Sequence, residues 1–467
     1  MNVTNPNLTK RLEGSVLIRG LGLWSATAIV ISDTIGTGIF LVTSDMARAV
    51  GTAILVLAAW IVGGLIVLCG AFCYAELGAA FPQAGGPYVY LNRGLGPLWG
   101  FLFGWMSSFL ERPVGMATLA AGFVRFLGFL FPVSTPLFTC YIGQFNFTFS
   151  VAQPLAALVV IAVTAINYLS VRMSGAIQVV LTSLKVGTIA AIVVAGVLFG
   201  KHTAFDVVPK LTHLSLGPIS GFLTALVPAM WAYNGFNDLG DVGEEIANPQ
   251  KNIPRAIIPG LLTVGGLYLL ANVVYLRTLP FAKLMQSQHI ASDTVQSFAD
   301  TRGAAVLTIA MAISALGALH VVVLTGARIP YAMARDGVFF QFAKRVQPSF
   351  RTPSGALIFL GSLAALLALS GTYEELYSLF VFGVWIFFAL TAIALFRLRK
   401  KEPTLSRPYR AWGHPWTTFI FLAAAVALTF NLWMVRPVRS SLGLAVILAG
   451  IPFFYRWRKS SAPRMQH

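Results

Sequence analysis

Ser32-Asp33-Thr34-Ile35-Gly36-Thr37-Gly38-Ile39-Phe40 interrupts an apolar run that extends from residue 23 to residue 44. Two glycines and several polar residues weaken a helix in the middle of that run. Unwinding in lipid strands backbone donors and acceptors without water, at a cost of several kcal/mol per group. Such a break persists only where the freed groups line a cavity or meet a ligand. A second interruption, Trp231-Ala232-Tyr233-Asn234-Gly235-Phe236-Asn237-Asp238, falls in the sixth run of this kind.

A membrane-spanning helix needs about 20 mostly apolar residues. Runs of that character lie at 23–44, 51–78, 98–124, 153–170, 176–199, 218–240, 256–279, 303–327, 354–371, 376–396, 414–431 and 437–456. They predict an all-α membrane protein with 12 transmembrane helices. The third run contains Glu111-Arg112-Pro113 and reads as one helix, kinked at the proline. Composition agrees: 57% of the 467 residues are hydrophobic and 10% are charged, against about 25% charged in a soluble domain. A soluble chain has no place to hide that much apolar surface.

The net charge is +17. A nucleic-acid binder gathers such charge on a polar domain, whereas here the basic residues sit in short segments between apolar runs. The expected surroundings are a lipid bilayer, not nucleic acid. With the N-terminus inside, 22 of the 33 lysines and arginines fall on the inner side and nine on the outer, while Arg112 and Lys185 lie within spans. The positive-inside rule then places both termini in the cytoplasm. It also supports the span count, because one missed helix would exchange the sides of every later loop. A multi-pass protein of the cell (plasma) membrane is expected.

The first twenty residues are polar and the apolar run after them is too long for a signal-peptide core, so no cleavable signal is expected. The longest loops, near 125–152 and 328–353, leave no room for a second domain. Asn146-Phe147-Thr148 fits a glycosylation sequon in an outer loop. Cys69, Cys73 and Cys140 make no disulfide framework. Cys69 and Cys73 have helical spacing inside an apolar run, which suits packing rather than a metal. No metal or cofactor is expected. Gly96, Gly100 and Gly104 form a stripe that lets another helix approach closely.

Two breaks five helices apart predict an inverted-repeat transporter. The expected organisation is a cytoplasmic segment 1–20, a first repeat 21–200, a second repeat 218–397, peripheral helices 413–456 and a tail 457–467. At the first break, bare amides of Thr37, Gly38 and Ile39 at a half-helix N-terminus would suit a carboxylate. Exposed carbonyls at the second would suit an ammonium, and one amino acid presents both groups. The competing account of Gly36-Thr37-Gly38 is close helix packing by small residues; the second break tips the balance toward a site. The candidate substrate contacts are Ile35, Gly36, Thr37, Gly38, Ile39, Trp231, Ala232, Tyr233, Asn234, Gly235 and Asn237.

Lys185 lies in the fifth run, about nine residues from its cytoplasmic end. A charge at that depth costs roughly 2.5–3.5 kcal/mol, so it should face the bundle and find acceptors. Snorkelling to the interface is the bland alternative and a long reach for a four-carbon stem. Asp33, in the first break, is the obvious counter-charge. Glu111 and Arg112 point about 100° apart on a helix, either pairing with other helices or facing a water path. His320, in the eighth run, is either a packing residue or a group that titrates near neutral pH.

These residues resemble a known family. Ile35-Gly36-Thr37-Gly38-Ile39-Phe40 is similar to the first-helix motif of the amino acid–polyamine–organocation (APC) superfamily. The stretch from Trp231 to Asn237, followed by Glu244-Glu245-Ile246-Ala247-Asn248-Pro249-Gln250-Lys251-Asn252-Ile253-Pro254, resembles the L-type amino acid transporters. So do Glu76-Leu77-Gly78, Gly85-Gly86-Pro87-Tyr88, Arg112-Pro113 and Lys185. The likeness runs from about residue 20 to residue 430.

The resemblance implies a five-plus-five core with unwound helices 1 and 6, and sodium-independent exchange of neutral amino acids. It implies a gating role for Trp231. It also implies that Lys185 stands where sodium-coupled relatives hold an ion, bonded near Ser32 and Ile35. Lys185, Asp33, Ser32 and Trp231 are therefore the coupling and gating candidates. Asn234 and Asp33 depart from the family pattern, and Asn234 argues against large aromatic cargo. Eukaryotic members pair with a glycoprotein through a cysteine between helices 3 and 4, where Cys140 lies; the short termini fit bacterial members, and no heavy-chain partner is expected. The sequence leaves the oligomeric state open.

A proton-coupled symporter, using Lys185, Asp33 or Glu111, is the alternative within transport. An intramembrane enzyme needs a nucleophile–base pair or a metal cluster, and His320 has no such company. A sensor would carry a signalling domain. Neither is expected.

Overall fold

In the computed structural model, residues 20–83, 85–142, 145–169, 175–200, 217–349 and 352–461 are described. Each of the twelve apolar runs carries helix. The first run divides into α1 (Leu23–Thr34), α2 (Gly38–Leu41) and α3 (Thr43–Val50). The second is α4 (Ala53–Ala80), which starts where the Thr52 hydroxyl caps the Leu55 amide. A short α5 (Pro87–Leu95) follows on the N-terminal face.

The third run is α6 (Pro97–Met106) and α7 (Arg112–Leu127), joined by a π turn over Ser107–Glu111. Pro113 has no N–H to offer the carbonyl four residues back. The wider turn absorbs that mismatch without ending the helix. Gly100 packs against Asn92 and Gly104 against Met333, so two members of the glycine stripe serve packing within the chain.

On the opposite face, β1 (Pro136–Ile142) and β2 (Phe145–Ser150) form an antiparallel hairpin. The sequence reading gave this segment only as a loop. Then come α8 (Ala152–Leu169), α9 (Gly175–Phe199) and α10 (Gly217–Ala232). The sixth run stops at Ala232 and resumes as a 3₁₀ turn over Asp238–Glu245. After it, α11 (Pro249–Thr278) crosses back, and α12 (Phe281–Gln286) and α13 (Ile290–Gln296) lie across the far face.

The rest are α14 (Thr301–Gly326), α15 (Arg328–Arg335), α16 (Ser354–Ser370), α17 (Tyr373–Lys401), α18 (Trp416–Val435) and α19 (Pro437–Ser461). A reciprocal capping box between Thr372 and Glu375 fixes the start of α17. Among the described residues, nine helical segments are long and apolar enough by themselves to cross a membrane. The third run falls outside that set through its π turn and charges; α10 and α16 are apolar but shorter.

Large apolar side chains such as Leu65, Leu158, Leu198 and Leu366 lie more than half exposed. In water that surface would aggregate; in a bilayer it faces lipid. Trp412, just before α18, and Trp416, its first residue, are exposed where an interfacial aromatic belt is expected.

Two features hold the inner frame. Glu76 of α4 is 1% exposed and accepts from Arg399 Nε and Nη2 at 3.0 and 2.5 Å and from the Ala411 amide at 2.6 Å, with Arg407 beside it. This buried carboxylate, with two guanidiniums and an amide, ties α4 to α17 and to the segment after it. The chain before α1 pairs with the end of the 3₁₀ turn, Leu21 N to Glu245 O at 3.0 Å and Ala247 N to Leu21 O at 2.9 Å. His320 bonds Asn167 of α8 at 3.0 Å, a packing role between helices.

Candidate functional site

The two breaks meet. Residues Ile35 to Thr37 form bends without a helical turn, so the amides of Thr37, Gly38 and Ile39 have no helical acceptor. They sit at the N-terminal end of the short α2, where the local dipole favours an anion. The backbones touch twice. A β-carbon at Gly38 would stand 2.6 Å from that of Ala232, and one at Gly235 would stand 2.7 Å from the Asp33 carbonyl carbon. Gly235 also has φ +114°, a region that side chains rarely enter.

Tyr268 of α11 locks this crossing from behind. Its hydroxyl lies 2.8 Å from Thr34 O and 3.0 Å from Ala232 O, one carbonyl from each break. Its ring packs edge-on against Trp60 and beside Tyr233. Lys185 holds the other side. Its Nζ donates to Ser32 O at 2.8 Å and to Ile35 O at 2.9 Å, and the side chain is 1% exposed. Those carbonyls are the ones the family resemblance pointed to. The lysine's hydrogen bonds go to them and not to Asp33, the counter-charge expected from sequence.

A cavity of about 50 Å³ lies between the breaks. Its volume is room for a few waters and is well below the ~300 Å³ at which ligand pockets begin. Its walls include Asp33, Gly36, Thr37, Gly38, Trp231, Ala232, Asn234 and Gly235 from the candidate set. The third run adds Glu111, Arg112, Gly115 and Leu119, while α14 adds Ala318 and Val322 and α17 adds Phe380.

Ile35, Ile39, Tyr233 and Asn237 do not line the cavity. The two isoleucine side chains are fully buried in the core; only their backbone belongs to the break. Tyr233 turns its hydroxyl to Trp60 O at 3.3 Å, because adjacent residues project about 100° apart. Asn237 donates to Asp238 at 2.6 Å.

Side-chain contacts bridge the cavity toward both faces. Toward the far face, the Tyr373 hydroxyl accepts from Trp231 Nε1 at 3.0 Å and shares a hydrogen bond with Thr37 Oγ1 at 3.0 Å. Trp231 packs edge-on against Phe380 at 4.9 Å. Toward the N-terminal face, Arg112 donates to Asp238 at 2.7 Å and to Asp241 at 2.9 Å. Arg112 is 4% exposed, so each bond is worth more than its surface equivalent. The Glu111 Oε2 and Asn234 Oδ1 atoms are buried without a partner among the described residues.

Sequence reading did not find Tyr373, Tyr268, Asp238, Asp241 or Phe380. Tyr268 and Phe380 sit in uninterrupted apolar helices, and Tyr373 begins one. Asp238 ended the quoted second break and Asp241 lies just beyond it. Their acidity beside Arg112 was the available signal.

A family model described as amino acid permease matches residues 21–454. The chain is 31% identical over 404 residues to the human (Homo sapiens) b(0,+)-type amino acid transporter 1, covering 84% of this chain and 79% of that one. It is 30% identical over 446 residues to the human large neutral amino acids transporter small subunit 2, covering 95% and 81%. It is 27% identical over 454 residues to the serine/threonine exchanger SteT of Bacillus subtilis (strain 168), covering 96% and 99%. With its span pattern and its two touching breaks, this chain belongs to the amino acid permease family.

Proposed function

We propose that the protein is a sodium-independent exchanger of neutral amino acids that works by alternating access at the plasma membrane, with both termini cytoplasmic. The carrying observation is the pairing of bare Thr37–Ile39 amides with the broken sixth run across one cavity. The cargo's carboxylate sits on the amides and its ammonium on carbonyls of the Trp231–Gly235 segment. Trp231 and Tyr373 form the outer gate, and the Arg112–Asp238–Asp241 bonds form the inner one. Residues 21–200 and 218–397 act as the two repeats whose rocking opens each gate in turn.

Lys185 supports the sodium-independent reading, since its ammonium fills the place between Ser32 O and Ile35 O that a bound cation would take. The small cavity and the likeness to a serine/threonine exchanger support small cargo. No heavy-chain partner is assigned. The test is efflux from proteoliposomes, trans-stimulated by each of the twenty amino acids, with and without sodium. Efflux that needs a sodium gradient sinks the reading.

A second reading, proton-coupled symport, is favoured by one observation. Asp33 and Glu111 both line the cavity and neither has an ion-pair partner among the described residues. Uptake driven by a pH gradient into vesicles empty of amino acid would select it.

A further inference from the structure

A second cavity, of about 430 Å³, lies beyond Tyr373 on the far face. Its size falls in the range of ligand pockets, unlike the smaller cavity below it. Tyr373 is the partition: its ring borders the outer cavity, and its hydroxyl holds Trp231 and Thr37 of the inner one.

The charges on the outer wall are unequally committed. Asp45 already takes bonds from Arg48 and from Tyr377, and Glu374 is paired with Arg436. Arg48 is used by Asp45 and by Met285 O. Arg125 is different. Its Nε donates to Gln288 O at 2.7 Å, and its guanidinium lies 5.6 Å from the centre of the Tyr373 ring. Among the described residues its two terminal nitrogens have no hydrogen-bond acceptor and no carboxylate within 4 Å, Asp45 being the nearby acid that feels its charge. Nearby, the His289 Nδ1 is buried without a partner. Burial, and then the charge of Arg125, lower the His289 pKa to about 4, so at neutral pH the histidine adds no positive charge to this wall.

We propose that this outer cavity is a docking site for the incoming amino acid, with Arg125 taking its carboxylate directly above Tyr373. A guanidinium offers a carboxylate two parallel hydrogen bonds, a stronger contact than the face of a tyrosine. Seating the cargo draws Arg125 off that ring and loosens the lid that the Tyr373 hydroxyl holds shut. The proposal rests on the transport reading above and on the far face being external.

The experiment compares right-side-out with inverted membrane vesicles, so that each face of the carrier is presented in turn. Arg125→Gln should raise the external KM about tenfold, the loss expected for one charged contact, and leave the internal KM where it was. Arg125→Lys, which keeps the charge, should fall between the two, and it serves as the reading if the glutamine variant does not reach the membrane. An equal shift at both faces, or none, overturns the proposal. Replacing external chloride with mannitol should leave the wild-type KM unchanged; a KM that follows chloride assigns Arg125 to small inorganic anions and also overturns it. Wild-type vesicles that exchange no amino acid would instead refute the transport reading, so the two failures are distinguishable.

Discussion

Gly38 and Ala232 meet where the two unwound segments cross, at a distance that leaves no room for a methyl group on the glycine. The wall of the cavity and the contact between the breaks are therefore one surface. Anything that pushes the segments apart also reshapes the cavity between them.

Gly38→Ala puts a β-carbon 2.6 Å from that of Ala232 and 2.7 Å from its α-carbon, a backbone atom that cannot swing aside. Overpacking of this kind costs about 1–3 kcal/mol, and here it also displaces the amides proposed to take the carboxylate. Exchange in proteoliposomes should fall at least tenfold, with a modest drop in melting temperature. Wild-type exchange by this variant would show that the contact is not part of the site.

Lys185→Ala leaves Ser32 O and Ile35 O without their donor inside the bundle. Each lost charged hydrogen bond is worth about 1.5–3 kcal/mol. Transport should be severely impaired while the variant still inserts. Normal uptake would remove the lysine from the mechanism. Sodium-dependent recovery of transport would point instead to an ion able to enter the vacated place.

Arg112→Gln strands Asp238 and Asp241 inside the protein. Breaking a buried ion pair from one side costs about 3–5 kcal/mol. Thermal unfolding in detergent should show that loss, and adding Asp238→Asn should recover part of it. A double variant no more stable than the single one would mean that the carboxylates do not depend on Arg112.

His289 lies outside the spans, and its pKa is lowered to about 4 by burial and by Arg125. The unfolded chain binds a proton near pH 6.5, so between these values it holds more protons than the folded one. The stability linked to neutral His289 is complete above pH 6.5 and is lost as pH falls toward 4. Melting temperature should decline across that window more steeply in the wild type than in His289→Gln. Parallel slopes would show that the histidine is not the group responsible.

The helical runs were legible because each is long and apolar and nearly all the basic residues fall between them. The breaks were legible because Gly36-Thr37-Gly38 and Asn234-Gly235 violate helix chemistry locally. Tyr268 was not, since nothing in an unbroken apolar run says which tyrosine turns toward two loose carbonyls. The same holds for Tyr373, whose partners Thr37 and Trp231 are distant in sequence. Neighbouring candidates also divided: Trp231 faces the cavity while Tyr233 turns away to Trp60. Sequence located the break, but only the packing of α4 and α11 around it chose the face.

Lys185 is a cation on a covalent tether. Whatever else crosses the bilayer, that charge stays with the chain. A zwitterion swapped for a zwitterion past a fixed ammonium moves no net charge over a full cycle, so the membrane voltage adds nothing to the driving force. Proteoliposomes held at either polarity should therefore come to the same final distribution of amino acids, and the composition of the two pools decides the direction of exchange.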